Sequence, residues 1–415
     1  MIDLRIKIRD IKGKLIVLFV CAIIWYSEVL QFRFIHISNA LLILGVLLVL
    51  TVLSDVSSEK IRAFKKISKE AIILGVYLAM TFICGAIVSP NLSAHISHGI
   101  TCIEFYIIML AVCYYASTRG NITFLAWNYV LLYSFSVFVF LQSPQVVREG
   151  TAIRYSLSSN LNVNAFSMGI TMAIWSILYL IMLKKINIFF GAGTVGIFLY
   201  SILLTGSRKG LIGAAICIIL WVFVCYLPLN RNHGIWNSVA KFASVLVISI
   251  ALLYFIAPIY SGSYMAVRMQ SLLNQSDLST ANRISMYRNG FQYTLRSPIL
   301  GYGFWGFAHF FGGYSHANLI EVPVSSGIPL ALLYFATYVT TGKKLLHNRK
   351  ELVHNESINQ YQDQVRIGVA FVLFAMLLFY SISVIHIYEI SSFISFAFIY
   401  SANDIYQANR RDEYV

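Results

Sequence analysis

Apolar runs of about 20 residues recur along almost the whole chain, separated by short polar turns; that is the length a helix needs to cross ~30 Å of hydrocarbon. Twelve such runs are read, at 15–31, 34–53, 71–88, 98–116, 123–141, 163–183, 186–204, 210–227, 239–258, 322–340, 367–385 and 387–402. The period-two alternation of a membrane barrel is absent. Backbone groups in lipid must pair within their own segment, so the pattern predicts an all-α, polytopic transmembrane bundle of about twelve spans. The largest break is the polar, aromatic-rich stretch 259–321 between spans nine and ten. It divides the chain into spans one to nine (1–258), an extracytoplasmic loop (259–321), and spans ten to twelve with a cytoplasmic tail (322–415).

Composition agrees with the pattern. Of 415 residues, 58% are hydrophobic and 12% charged, against about a quarter charged in soluble domains. The six cysteines lie inside apolar runs and form no CxxC or Cys/His spacing, so they read as buried small hydrophobes, and no metal site is indicated. The first run follows a basic start and no A-x-A-like cleavage site follows it, which predicts an uncleaved first span.

Charge sets the orientation. With a cytoplasmic N-terminus, 22 of the 31 Lys and Arg fall inside and nine outside, the bias expected of a multi-pass protein. The formal net charge of +14 therefore reflects topology, and nucleic acid is not an expected partner. The nine exceptions are Arg33, Arg148, Arg154, Arg208, Lys209, Arg268, Arg283, Arg288 and Arg296. Eight are Arg, whose planar guanidinium matches phosphate in a way ammonium does not. Outward Arg kept against the bias points to an anion site on the outer face, although Arg33 and Arg296 also suit helix-end capping or snorkelling.

Inside the large loop, Ser279 or Thr280 caps a helix expected to run to about Arg296, where Ser297-Pro298 ends it. Ile284, Met286, Tyr287, Phe291 and Leu295 give it an apolar stripe suited to the membrane surface. Gly301-Tyr302-Gly303-Phe304-Trp305-Gly306 spells G-x-G-x-x-G, but no strand precedes it, so dinucleotide binding is rejected. The glycines read as tight turns. Tyr293, Tyr302, Trp305 and Tyr314 suit either an interfacial belt or stacking on sugar rings. Glu104, an acid inside span four, is a candidate by the cost of burying a carboxylate in lipid; a structural ion pair explains it equally well. His309 sits in no motif and reads as an idle loop histidine.

Three elements then face one side: Gly206-Ser207-Arg208-Lys209-Gly210 between spans seven and eight, Arg283 at the start of the loop helix, and His316-Ala317-Asn318 before span ten. Fixed cations in a partly dehydrated site suit a phosphate clamp. With Thr205 before Gly206, Arg296-Ser297-Pro298-Ile299-Leu300-Gly301-Tyr302-Gly303, Ser315-His316-Ala317-Asn318-Leu319-Ile320-Glu321 and Gly327, this order resembles the O-antigen polymerase and ligase superfamily over roughly residues 200–340. The family often has His and Asn adjacent, whereas Ala317 separates them here.

The resemblance implies a metal-independent, inverting glycosyltransferase of the lipid-linked C type that needs no cofactor. It would join oligosaccharide repeat units carried on undecaprenyl pyrophosphate to a growing glycan acceptor, at the outer face of the bacterial cytoplasmic (inner) membrane. Carried over by position, Arg208, Arg283 and Lys209 would bind the pyrophosphate. His316 would be the first candidate base and Glu321 the second, or the residue that orients His316. Arg154, Arg288, Asn318 and Glu104 are further candidate substrate contacts. Membrane lipid and a chain-length regulator protein are the other expected partners. A ligase that moves the glycan to a lipid A-core acceptor shares the same residues. A lipid-linked oligosaccharide flippase suits twelve spans, but the turn at Lys184-Lys185 is too short for the linker between two such halves.

Overall fold

The computed structural model describes residues 2–34, 39–58, 67–149, 152–229, 278–354 and 360–413. The chain is a polytopic, all-α multi-pass membrane protein, and among the described residues the only strands form one small hairpin. In chain order the helices are α1 (Ile2–Trp25), α2 (Ala40–Ser58), α3 (Lys69–Val88), α4 (Leu92–Arg119), α5 (Thr123–Gln142), α6 (Val163–Met182), α7 (Ile188–Thr205), α8 (Arg208–Trp221), α9 (Leu278–Arg296), α10 (Gly306–Phe311), α11 (Asn318–His354), α12 (Gln360–Ser381) and α13 (Ile390–Glu413). Strands β1 (Gln145–Glu149) and β2 (Ala152–Ser156) pair antiparallel, so the connection after α5 is a hairpin where the sequence suggested only a polar loop.

Among the described residues, nine helices are long and apolar enough to cross a membrane. Two further expected spans are also helices. The one expected at 34–53 starts at Ala40, and the one expected at 387–402 is α13, whose Phe393, Phe396 and Tyr400 are buried. The span expected at 239–258 lies outside the described residues, as does Arg268. The bundle is built around α6, which is buried on nearly all sides. Three small residues set its neighbours' distance. A Cβ on Gly169 would meet the Tyr133 hydroxyl of α5 at 1.6 Å, one on Gly210 would meet Ser167 at 2.6 Å, and one on Gly191 would meet Ile181 at 2.5 Å.

α1 runs on through a π turn, Tyr26–Leu30, before ending at Arg33. α11 breaks at Gly327, whose φ of 74° and ψ of 172° lie outside the helical region. Two prolines explain what the break does. Pro329 has no N–H, so the carbonyl of Ser325 loses its helical partner. The break sends the Ile328 N–H to the Pro298 carbonyl at 2.7 Å, which frees the carbonyl of Val324. The loop fills both vacancies: Tyr302 N–H donates to Val324 and Gly303 N–H to Ser325, each at 2.9 Å. The polar insert is thus bonded into the broken helix.

The ends of the bundle differ in chemistry. At one end Lys344 pairs with Asp404 at 3.2 Å, Arg119 with Asp55 at 3.1 Å, and Arg410 with Glu351. At the other end lie the hairpin, the α7–α8 turn, the loop after α9 and the α12–α13 connection, tied together as follows.

Candidate functional site

The α7–α8 turn is fixed from three sides. Gly206 closes α7 in the left-handed region at φ 65°, and the Ser207 hydroxyl accepts from Gly210 N–H to cap α8. Ser207 also donates to the Asn164 side-chain oxygen at 3.0 Å. Arg154, on β2, donates to that same oxygen at 3.1 Å and to the Thr205 carbonyl at 3.3 Å. Arg154 is 1% exposed, so it braces the turn from inside. Arg208 is therefore the first residue of a helix whose N-terminal amides and dipole favour an anion, on a backbone that the neighbouring bonds hold in place.

The loop helix α9 ends at Arg296, as the Ser297-Pro298 stop predicts, and its Ile284, Phe291 and Leu295 form the exposed apolar stripe. The flank beside it turns inward and takes with it Tyr287, which the sequence reading counted in the apolar stripe. A Cβ on Gly290 would meet Ile320 of α11 at 2.2 Å, and Tyr287 donates to the Ile382 carbonyl at 2.8 Å. Arg283 is one turn before Tyr287 on that face and is half-buried. Lys209 donates to the carbonyl of the next residue, Ser383. Two adjacent carbonyls thus draw α8 and α9 to one point; Arg208 precedes Lys209 in the chain, and Arg283 lies one turn before Tyr287. Arg288, one turn after Ile284, and Arg296 are both exposed.

That meeting point belongs to 382–389, a segment sequence reading treated only as the junction of two spans. It folds into the bundle: Tyr338 and His386 share a hydrogen bond of 2.6 Å, Cys102 donates to the Ile387 carbonyl at 2.9 Å, and Trp305 N–H donates to the Tyr388 hydroxyl at 2.8 Å. Glu389, at its end, lies within electrostatic range of Glu28. The Glu28 carboxylate accepts from the hydroxyls of Tyr129 at 3.0 Å and Tyr133 at 2.6 Å. Glu28 sits in the π turn of α1, and such turns recur at functional positions. Both acids carried a usable signal, because a carboxylate inside an apolar run is a candidate on the same grounds that singled out Glu104.

His316 is held by its neighbours. Ser315 N–H donates to Glu321 at 3.2 Å, the Ser315 hydroxyl to the Ala317 carbonyl at 3.1 Å, and Glu321 N–H to Ala317 at 2.9 Å. His316 has a φ of 57°, a conformation that costs a non-glycine residue roughly 1–2 kcal/mol. Its ring lies 4.1 Å from that of Tyr314, whose hydroxyl accepts from Asn162 at 3.0 Å. His316 is half-exposed, whereas Glu321 and Asn318 are both 0% exposed. Asn318 donates to Tyr334 at 3.0 Å and so points into the bundle. The intervening Ala317 turns it there: two residues after His316, the chain has entered α11. Glu321 orients the turn that carries His316 and does not itself reach the surface.

The candidate Glu104 falls apart from the constellation, and His309 stays outside it as the sequence reading had it. Glu104 lines a cavity of about 200 Å³ among α1, α2 and α4, with walls that include Ile23, Leu41, Val49 and Ile108. His309, on α10, is exposed. Bonds and ring contacts therefore link Lys209, Tyr287, Trp305, Tyr314 and His316 to 382–389, and Arg208 and Arg283 are chain neighbours of the first two. Among the described residues no group of three or more His, Cys, Asp or Glu is placed to hold a metal ion.

Known proteins resemble this chain over that same region. The family model described as O-Antigen ligase matches residues 193–335, which contain Arg208, Arg283, His316 and the break in α11, and this supports the O-antigen polymerase and ligase superfamily. No curated protein matches. One solved chain, from a structure described as "Structural coordination of polymerization and crosslinking by a peptidoglycan synthase complex", is similar at a TM-score of 0.42 and 13% identity over 82% of this chain and 97% of that one. A likeness that distant carries no argument.

Proposed function

We propose that this multi-pass membrane protein, with its O-antigen ligase family segment, is a polymerase that joins repeat units carried on undecaprenyl pyrophosphate into a surface polysaccharide. The convergence of α8 and α9 on the carbonyls of Ile382 and Ser383 carries this reading. It ties the helix that Arg208 opens to the helix that carries Arg283, which supports assigning both guanidiniums to one ligand. A pyrophosphate bound between Arg208 and Arg283, with Lys209 nearby, leaves with its charge neutralised.

In the proposed step an acceptor sugar hydroxyl attacks the anomeric carbon of the donor. The new C–O bond forms on the face opposite the departing phosphate, the anomeric C–O bond to phosphate breaks, and polyprenyl pyrophosphate takes the bonding electrons. His316 takes the hydroxyl proton; imidazole is the side chain that exchanges protons near neutral pH. Glu321 fixes the Ser315–Ala317 turn so that His316 projects from it. Charge stabilisation comes from side-chain cations, so the transfer runs without a metal ion. The site faces the outer leaflet of the bacterial cytoplasmic membrane, where the lipid-linked donor is presented.

The test is glycan synthesis by the purified chain in lipid nanodiscs supplied with lipid-linked donor and a chelator. Wild type extends the glycan into a ladder of lengths. Arg208→Ala, Arg283→Ala and His316→Ala each lose about 10²–10³-fold in rate, with unchanged protein yield. Undiminished ladders from these variants would refute the site. The family description favours one second reading, a ligase; in that case the protein adds preformed glycan once to a lipid A-core acceptor and makes no ladder.

A further inference from the structure

Trp305 occupies the N-cap position of α10 with a φ of 64° and a ψ of 12°, and its side chain makes no capping bond. That position suits Gly or Asn, which adopt the left-handed region with little strain. An interfacial anchor does not require this backbone, because a Trp at the membrane surface works in an ordinary conformation. The strain therefore holds this ring in a particular place.

The surroundings say what for. The His98 ring lies parallel to the indole at 3.9 Å and 11°, which backs one face. Tyr388 meets it at 5.4 Å and 65°, and Tyr314 lies 5.8 Å away at 33°. Trp305 remains half-exposed, and among the described residues its indole N–H has no hydrogen-bond partner. Tyr314 in turn touches His316, the other left-handed aromatic residue of this loop, and its hydroxyl is held by Asn162. A backed, partly exposed aromatic surface with a free donor at its edge and amide and phenol groups beside it suits one class of ligand. A pyranose ring carries a face of C–H groups that packs flat on an aromatic ring, and a rim of hydroxyls that needs donors and acceptors.

We infer that Trp305 and Tyr314, backed by His98 and Tyr388, form a stacking subsite for a pyranose ring of the glycan, next to His316. The identity of the glycan rests on the transferase reading, but binding does not require transfer. The subsite holds the sugar by shape, and Arg208 and Arg283 hold the pyrophosphate by charge, so the two are separable by experiment.

The probe is the reducing oligosaccharide released by mild acid from the lipid-linked donor of the producing strain; it lacks pyrophosphate. Its binding to the full-length protein in nanodiscs is measured by saturation-transfer NMR and calorimetry. Trp305→Gly is expected to weaken binding at least tenfold while Tm stays level or rises, because the strained residue is gone. Trp305→Phe keeps a flat ring and retains most of the affinity, whereas Trp305→Leu keeps bulk without a ring and loses it. The inference fails if wild type does not bind the oligosaccharide, or if Trp305→Leu binds as well as Trp305→Phe; the latter pair decides the matter even if Trp305→Gly folds poorly. Transfer by Arg208→Ala, measured alongside, reports on the transferase reading separately. Full transfer there with weakened oligosaccharide binding by Trp305→Leu overturns that reading and leaves the subsite standing.

Discussion

Arg154 and Arg208 look alike in the sequence, both being arginines kept outside against the charge bias, yet the fold gives them opposite settings. Arg154 is buried and bonds a carbonyl and an amide, so its removal takes a donor from the buried Thr205 carbonyl and leaves the Asn164 oxygen to Ser207 alone. Arg154→Ala is expected to destabilise the protein by about 3 kcal/mol, seen as a fall in Tm in nanodiscs. Arg208→Ala is expected to remove activity at a smaller cost in Tm, because Arg208 is half-buried where Arg154 is buried; equal losses of stability in the two variants would contradict this division. Glu321 belongs with Arg154. Glu321→Ala frees the Ser315 N–H and loosens the turn under His316, which is expected to lower kcat about tenfold without changing donor Kd. Glu321→Gln, which keeps an acceptor oxygen, is expected to restore most of it. A catalytic carboxylate would instead be lost in both variants.

At the scale of elements, the break in α11 joins the loop to the bundle. A Cβ on Gly327 would lie 2.3 Å from the Ile299 carbonyl oxygen, at a φ of 74°, so Gly327→Ala is expected to cost upwards of about 2 kcal/mol. It should also raise hydrogen exchange at the Tyr302 and Gly303 amides, whose acceptors the break supplies; unchanged protection there would show that the loop does not depend on the break. The end of α1 offers a second case. Glu28→Ala leaves the Tyr129 and Tyr133 hydroxyls without their acceptor, at about 1–3 kcal/mol for each buried group, whereas Glu28→Gln loses less. The loop helix, its stop at Ser297-Pro298 and the Ile284, Phe291 and Leu295 part of its apolar stripe were legible, because each depends on neighbours within a few residues, whereas the inward turn of Tyr287 depends on Ile382. The inward path of 382–389 was not. Its bonds run to Lys209, Tyr287, Trp305 and Cys102, between 83 and 285 residues away, and a hydropathy pattern contains no such partners.

For the whole molecule, we propose from the charge bias that the Arg208 end faces outward. The opposite end carries the pairs of Lys344 with Asp404 and Arg119 with Asp55. A cysteine introduced by Arg296→Cys should react with an impermeant maleimide on intact spheroplasts. One introduced by His347→Cys, on the opposite end, should react only after permeabilisation; the reverse pattern would invert the topology. The native cysteines are buried or half-buried, which keeps their background reaction low.

The sequence by itself determined that this is a helical membrane protein, where most of its spans lie, and that one polar insert carries a phosphate-like motif set. Those features follow from local hydropathy and from residue order, which the chain states directly. Only the tertiary structure decided which members of that set converge. It tied Lys209 and Tyr287 to neighbouring carbonyls, turned Asn318 and Glu321 inward, buried Arg154 as a brace, and brought Trp305, Tyr388, Glu28 and Glu389 to the site end. The reason is geometric: a side chain's direction and partners depend on packing between helices distant in sequence, and the same arginine in the same polar loop serves as ligand or as scaffold according to what stands opposite it.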